Sequence, residues 1–236
     1  MRILFVSILL AININLWADM LPDFMLPLRD AIYEQKLNPE GIKSLYRSAK
    51  EYALNNYSGT ALDLALSRCE YYMGRGLQDN EINDEARTHY LEGMRLAEKV
   101  IAAEPSAEAW VAMTENLSQN CSLGPWTYTV ANGLNVEKYS KNALSYNKRN
   151  AVARHMIASR WVYAPSPFNN YKKGIEMMNA ILTESDMDKS DYFNVYIAIA
   201  YAYVQQKKYA DARPWLLKAQ EIYPTNKFAA ELLAKK

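Results

Sequence analysis

The sequence predicts an all-α chain in which antiparallel helix pairs stack into a superhelical solenoid, and three observations carry that expectation. Bulky and small apolar residues recur at helical spacing along almost the whole chain. The second helices of successive pairs stop near residues 105, 148, 184 and 224, a repeat of about forty residues, as in helical repeat proteins. Only 8 Gly and 9 Pro occur, without a low-complexity tract, so the chain reads as folded nearly throughout.

The last unit shows the pattern most clearly. In its first helix Tyr196, Ile199 and Tyr203 fall at helical spacing, with small Ala200 directly after Ile199. A turn at Gln206-Lys207-Lys208 leads to a second helix that places Ala212, Leu216 and Ala219 on one face and stops before Pro224. Antiparallel helices approach closely only where one of them offers a small residue, and bulky neighbours then fill the space on either side. Proline ends the unit because it has no N–H to continue the ladder. Earlier units are read at about 60–105, 107–148 and 150–184, ahead of the unit at 191–224. In the unit at 107–148 a loop through Gly124-Pro125-Trp126 separates the first helix from one expected near Val136 to Tyr146. Leu21 to Asn55 adds one or two more helices, and 227–236 forms a short cap.

Tyr196, Ile199, Ala200, Tyr203, Ala212, Leu216, Ala219 and Pro224 resemble, in order and spacing, the eight positions that define the tetratricopeptide repeat (TPR). The stretch from Arg154 to Pro165, with its Tyr163-Ala164-Pro165 loop, is similar to the exported T component associated with bacterial TRAP transporters. That resemblance implies a transporter substrate-binding protein as partner and an apolar ligand held by the repeat protein itself.

Residues 1–18 read as a signal peptide: a basic start at Arg2, an apolar run from Ile3 to Leu10, and Leu16-Trp17-Ala18 ahead of Asp19. The expected location is therefore periplasmic or otherwise exported, with no integral membrane segment after cleavage. Lys and Arg total 27 against 26 Asp and Glu, which gives no electrostatic footprint for nucleic acid.

Chemistry is thinly represented. Only His89, His155, Cys69 and Cys121 offer soft metal ligands, and they lack the close-spaced pairs of a zinc site, so neither metal nor cofactor is expected. Cys69 and Cys121 lie in the first helices of adjacent units. They either form a disulfide in an oxidising compartment or serve as small packing residues. No Gly-x-Ser-x-Gly, phosphate loop or His-Glu-x-x-His occurs, and no enzyme is expected.

The aromatic content, with 18 Tyr, is the one lead to a site. Off the helix–helix seam, Asn194, Ile197, Tyr201 and Gln205 would face the concave surface, with His155, Ser159 and Tyr163 at equivalent places in the preceding unit. Loop residues Trp126, Phe168 and Asn169 would rim that groove. Flat apolar area with a few orienting amides suits recognition of a protein partner or a small ligand. The expected function is an extracytoplasmic scaffold for a protein partner, with an envelope transport component in view. The alternative is a carrier of a small or apolar ligand in a channel between helices.

Overall fold

In the computed structural model, residues 21–235 are described, and the expected signal segment at 1–18 lies outside them. The described residues are all-helical. After a 3-10 turn (Asp23–Met25) come α1 (Leu26–Glu34), α2 (Pro39–Asn56), α3 (Gly59–Gln78), α4 (Asn83–Ala103), α5 (Ala107–Leu123) and α6 (Trp126–Tyr146). They are followed by α7 (Ala151–Tyr163), α8 (Tyr171–Glu184), α9 (Lys189–Gln205), α10 (Tyr209–Ile222) and α11 (Lys227–Ala234).

Capping sets several starts. Ser106, Asn150, Asn170 and Asn226 each accept a hydrogen bond from the main-chain N–H three residues on, which satisfies donors the helix cannot. Asp188 opens α9 with a reciprocal capping box to Asp191. Between helices the seams are built on small residues: Ala97, Ala112, Ala143, Ala153, Ala158, Ala200, Ala212 and Ala219 are all buried. At Gly174 a Cβ would lie 2.6 Å from Val162 Cγ2, so α7 and α8 touch there at a distance only glycine permits.

Consecutive helices pack as pairs, giving an all-α solenoid, and α1, α3, α5, α7 and α9 form its inner layer with neighbours in contact. The stack does not stay open. Helix α1 packs beside α3 and also docks on the last unit, so the first and last helices share one apolar cluster containing Ile32, Tyr33, Phe193, Tyr223 and Leu232. Tyr33 stacks on Tyr223 at 5.0 Å between centroids and meets the edge of Phe193 at 5.5 Å. Its hydroxyl accepts from Asn194 Nδ2 at 2.8 Å, and its main-chain carbonyl accepts from Asn226 Nδ2 at 2.8 Å. Arg29 pairs with Asp188 at 2.7 Å, and the Tyr223 hydroxyl donates to Asp30 at 2.8 Å.

Helix α6 begins ten residues earlier than expected, at Trp126, with Pro125 as its N-cap. Its first half buries no side chain before Ser140, and Thr127, Thr129, Asn132 and Gly133 there are weak helix formers, so the helix start is masked behind the Gly124-Pro125 loop. Trp126, Val130 and Leu134 follow at four-residue spacing and are exposed. Among the described residues no helix is long and apolar enough to cross a membrane.

Replacing a buried aromatic by alanine costs about 3–5 kcal/mol. Tyr33→Ala is therefore expected to lower the unfolding free energy measured in urea by that order, with a lower midpoint. Tyr33→Phe keeps the rings, loses the bond to Asn194, and should cost only about 1 kcal/mol. An unchanged midpoint for Tyr33→Ala would show that the α1 contact contributes nothing to stability.

Candidate functional site

Closure by α1 leaves a chamber of about 100 Å³ at the centre of the inner layer. Each inner helix contributes the stripe that its period brings to one face. From α3 come Arg68, Tyr71, Tyr72 and Arg75; from α5, Glu108, Val111, Glu115 and Gln119. Helix α7 supplies Val152, His155 and Met156, and α9 supplies Asp191, Asn194 and Val195. Tyr33 closes the wall from α1, with Leu21 also against it.

The charges are unevenly satisfied. Arg68 pairs with Glu108, and its other terminal nitrogen stands 3.8 Å from Glu115. Asp188 is fully occupied: one oxygen takes the N–H groups of Ser190 and Asp191, and the other takes Arg29. Asp191 accepts from the Asp188 main chain at 3.0 Å. Burial pushes the Glu115 carboxyl up to about 7, with the neighbouring Glu108 and Asp188 adding to the effect and Arg68 opposing it. Burial and Asp188 likewise push Asp191 up to about 7. Burial takes His155 down to about 4, so its ring is neutral at physiological pH. Ser159 Oγ lies 3.3 Å from His155 Nδ1. Nε2 is buried without a hydrogen bond, although the Asn194 main chain is near enough to influence it. Groups shifted this far by burial gather where proteins bind or react. Among the described residues no three His, Cys, Asp or Glu are placed to hold a metal ion.

No family model and no curated protein matches this chain. Its site therefore rests on its own geometry.

Of the residues singled out from sequence, Asn194 and His155 line the chamber, and Ser159 lies one turn on from His155. Tyr163 and Tyr201 meet at 5.0 Å, and Tyr201 reaches Phe228 at 6.3 Å. Ile197 is not on a free concave face: it is buried in the cluster that α1, α10 and α11 build with α9. Gln205 is exposed at the end of α9 and does not line the chamber. Trp126 and Phe168 are exposed away from the chamber lining, and Asn169 bonds the Tyr171 hydroxyl at 3.0 Å. The expected rim is thus not assembled.

Cys69 and Cys121 are both free and buried. Gln78 reaches Ser122 at 3.5 Å, so Cys121 is level with the end of α3 and Cys69 lies about nine residues below it. At 1.5 Å per residue that offset is roughly 13 Å, too far for a disulfide between these parallel helices.

Sequence reasoning missed Arg68, Arg75, Glu108, Glu115, Asp188 and Asp191. A signal was available. Arg68/Arg75 and Glu108/Glu115 are like-charged pairs seven residues apart on successive first helices, so each pair shares one face of an otherwise apolar helix.

Folding raises the proton affinity of Glu115 and Asp191. As pH climbs from about 4 the unfolded chain releases protons that the folded chain keeps, and this contribution to stability is lost up to about pH 7. Glu115→Gln removes one of these groups. Its urea midpoint is expected to gain on the natural chain between about pH 5 and pH 7.5 and to run parallel above that. A constant offset across the range would place the Glu115 carboxyl at its ordinary proton affinity.

Proposed function

We propose that this chain is an exported binding protein, a helical solenoid of the tetratricopeptide kind, that takes a small polar ligand into the chamber enclosed by its five inner helices. One observation carries the reading: Tyr33 of α1 seals the inner layer against the last unit and converts a groove into a walled space with charged and amide groups on its surface. The contact of α1 with the last unit narrows the inner face, which favours a small ligand over an extended peptide along it. The lining of Arg, Glu, Asp, Asn and His favours a polar ligand over an apolar one. Support for export comes from the residue pattern of positions 1–18.

A second reading, docking of a protein partner such as a transporter substrate-binding protein, is favoured by a different surface. The exposed Trp126, Val130 and Leu134 make an apolar ridge along the first half of α6, the sort of patch that marks interaction sites.

Native mass spectrometry of the protein purified from its own cells tests the first reading. The natural chain should carry a low-mass polar solute that Val152→Phe, which fills the chamber from α7, no longer retains. Recovery of the bare polypeptide mass alone would reject it. For the second reading, Trp126→Glu with Leu134→Glu should abolish co-purification of a partner while leaving the bound solute in place.

A further inference from the structure

Two charged side chains on the chamber wall lack the partners that their charged neighbours have. Arg75 stands on α3, two turns beyond Arg68. Among the described residues no carboxylate pairs with it, and its one hydrogen bond is long, Nη1 to the Tyr71 hydroxyl at 3.4 Å. Glu115 on α5 is only 7% exposed. It accepts no hydrogen bond from a described residue, and its ion-pair contact with Arg68, at 3.8 Å, is beyond hydrogen-bonding reach. Arg75 and Glu115 feel each other's charge but do not touch. Arg75 is half-buried and Glu115 nearly buried, and a charge withdrawn from water without a hydrogen-bonded counterpart is disfavoured. Here two of opposite sign face one small space from adjacent helices, each with unused hydrogen-bonding capacity.

We propose that the chamber binds a small zwitterion, with the ligand's carboxylate on the Arg75 guanidinium and its ammonium on the Glu115 carboxylate. A guanidinium offers a planar fork that matches a carboxylate's two oxygens, and a carboxylate accepts from an ammonium through short charge-assisted bonds. A simple anion would leave Glu115 without a partner, and a simple amine would leave Arg75 so. The neutral His155 on α7 and the Tyr33 and Tyr71 side chains complete the wall without adding net charge. Size sets a further limit. A 150 Å³ cavity holds benzene, so about 100 Å³ suits roughly four to six heavy atoms, the size of glycine or β-alanine.

This inference rests on the small-ligand reading above, and its test separates the two. Titration calorimetry and thermal unfolding of the ligand-stripped full chain would compare glycine and β-alanine with propionate and propylamine, which carry one charge each at similar size. Glycine or β-alanine should bind and raise Tm, and the singly charged pair should not. Arg75→Gln and Glu115→Gln should each weaken zwitterion binding by about tenfold or more, the loss expected for one charge-assisted contact. The comparison within the natural chain stands even if a variant fails to fold. Equal binding of propionate would make the chamber an anion site, equal binding of propylamine a cation site, and either overturns the proposal, as does no binding by any of the four. A co-purified solute that is not zwitterionic but is lost in Val152→Phe would also overturn it, while leaving the small-ligand reading intact.

Discussion

The contact of Tyr33 with the last helical unit decides what kind of molecule this is. Without it, five helix pairs and a cap would form a curved stack with its inner face open to solvent. With it, an aromatic stack on Tyr223, an edge contact with Phe193 and two amide hydrogen bonds bring the two ends of the stack together. The chamber lies behind this contact, and burial there raises the proton affinity of Glu115 and Asp191.

Enclosure also changes the meaning of the charges. On an open face Arg68, Arg75, Glu108 and Glu115 would be solvated and worth little. Inside, each must find a partner. The protein supplies hydrogen-bonded partners for Arg68, Asp188 and Asp191 from its own caps and helices, while Glu115 has only a 3.8 Å ion-pair contact with Arg68 and Arg75 only a long bond to Tyr71. Val111, Val152 and Val195 complete the wall with apolar area, so a ligand's charges would be strengthened by low-dielectric surroundings.

The helical character was legible because buried faces impose a period, as Ile199, Ala200, Ala212 and Ala219 show. The first half of α6 was not: its apolar residues stand at helical spacing, but weak helix formers such as Thr127, Thr129, Asn132 and Gly133 and the preceding Gly124-Pro125 read as loop. Asn194 and His155 were found by their position off the helix seam, which is a local property. Ile197 occupies an equivalent position and is nevertheless covered, because what covers it comes partly from α1, far away in the chain. The two cysteines illustrate the same limit along a different axis. Membership of adjacent first helices could be read from sequence, but the relative height of those helices depends on packing. The charged wall was missed although its seven-residue spacing was visible, since only enclosure distinguishes such a stripe from an ordinary solvated face.

The bond from Asn194 to Tyr33 joins residues 161 apart, and that from Tyr223 to Asp30 joins residues 193 apart. In an open array each unit leans only on its neighbour and can order in sequence as it is made. Here α1 has no complete seat until α9 and α10 have also been made. A small set of distant contacts thereby adds to a modular chain a non-local closure, the kind of contact whose loop entropy must be met before it rewards folding.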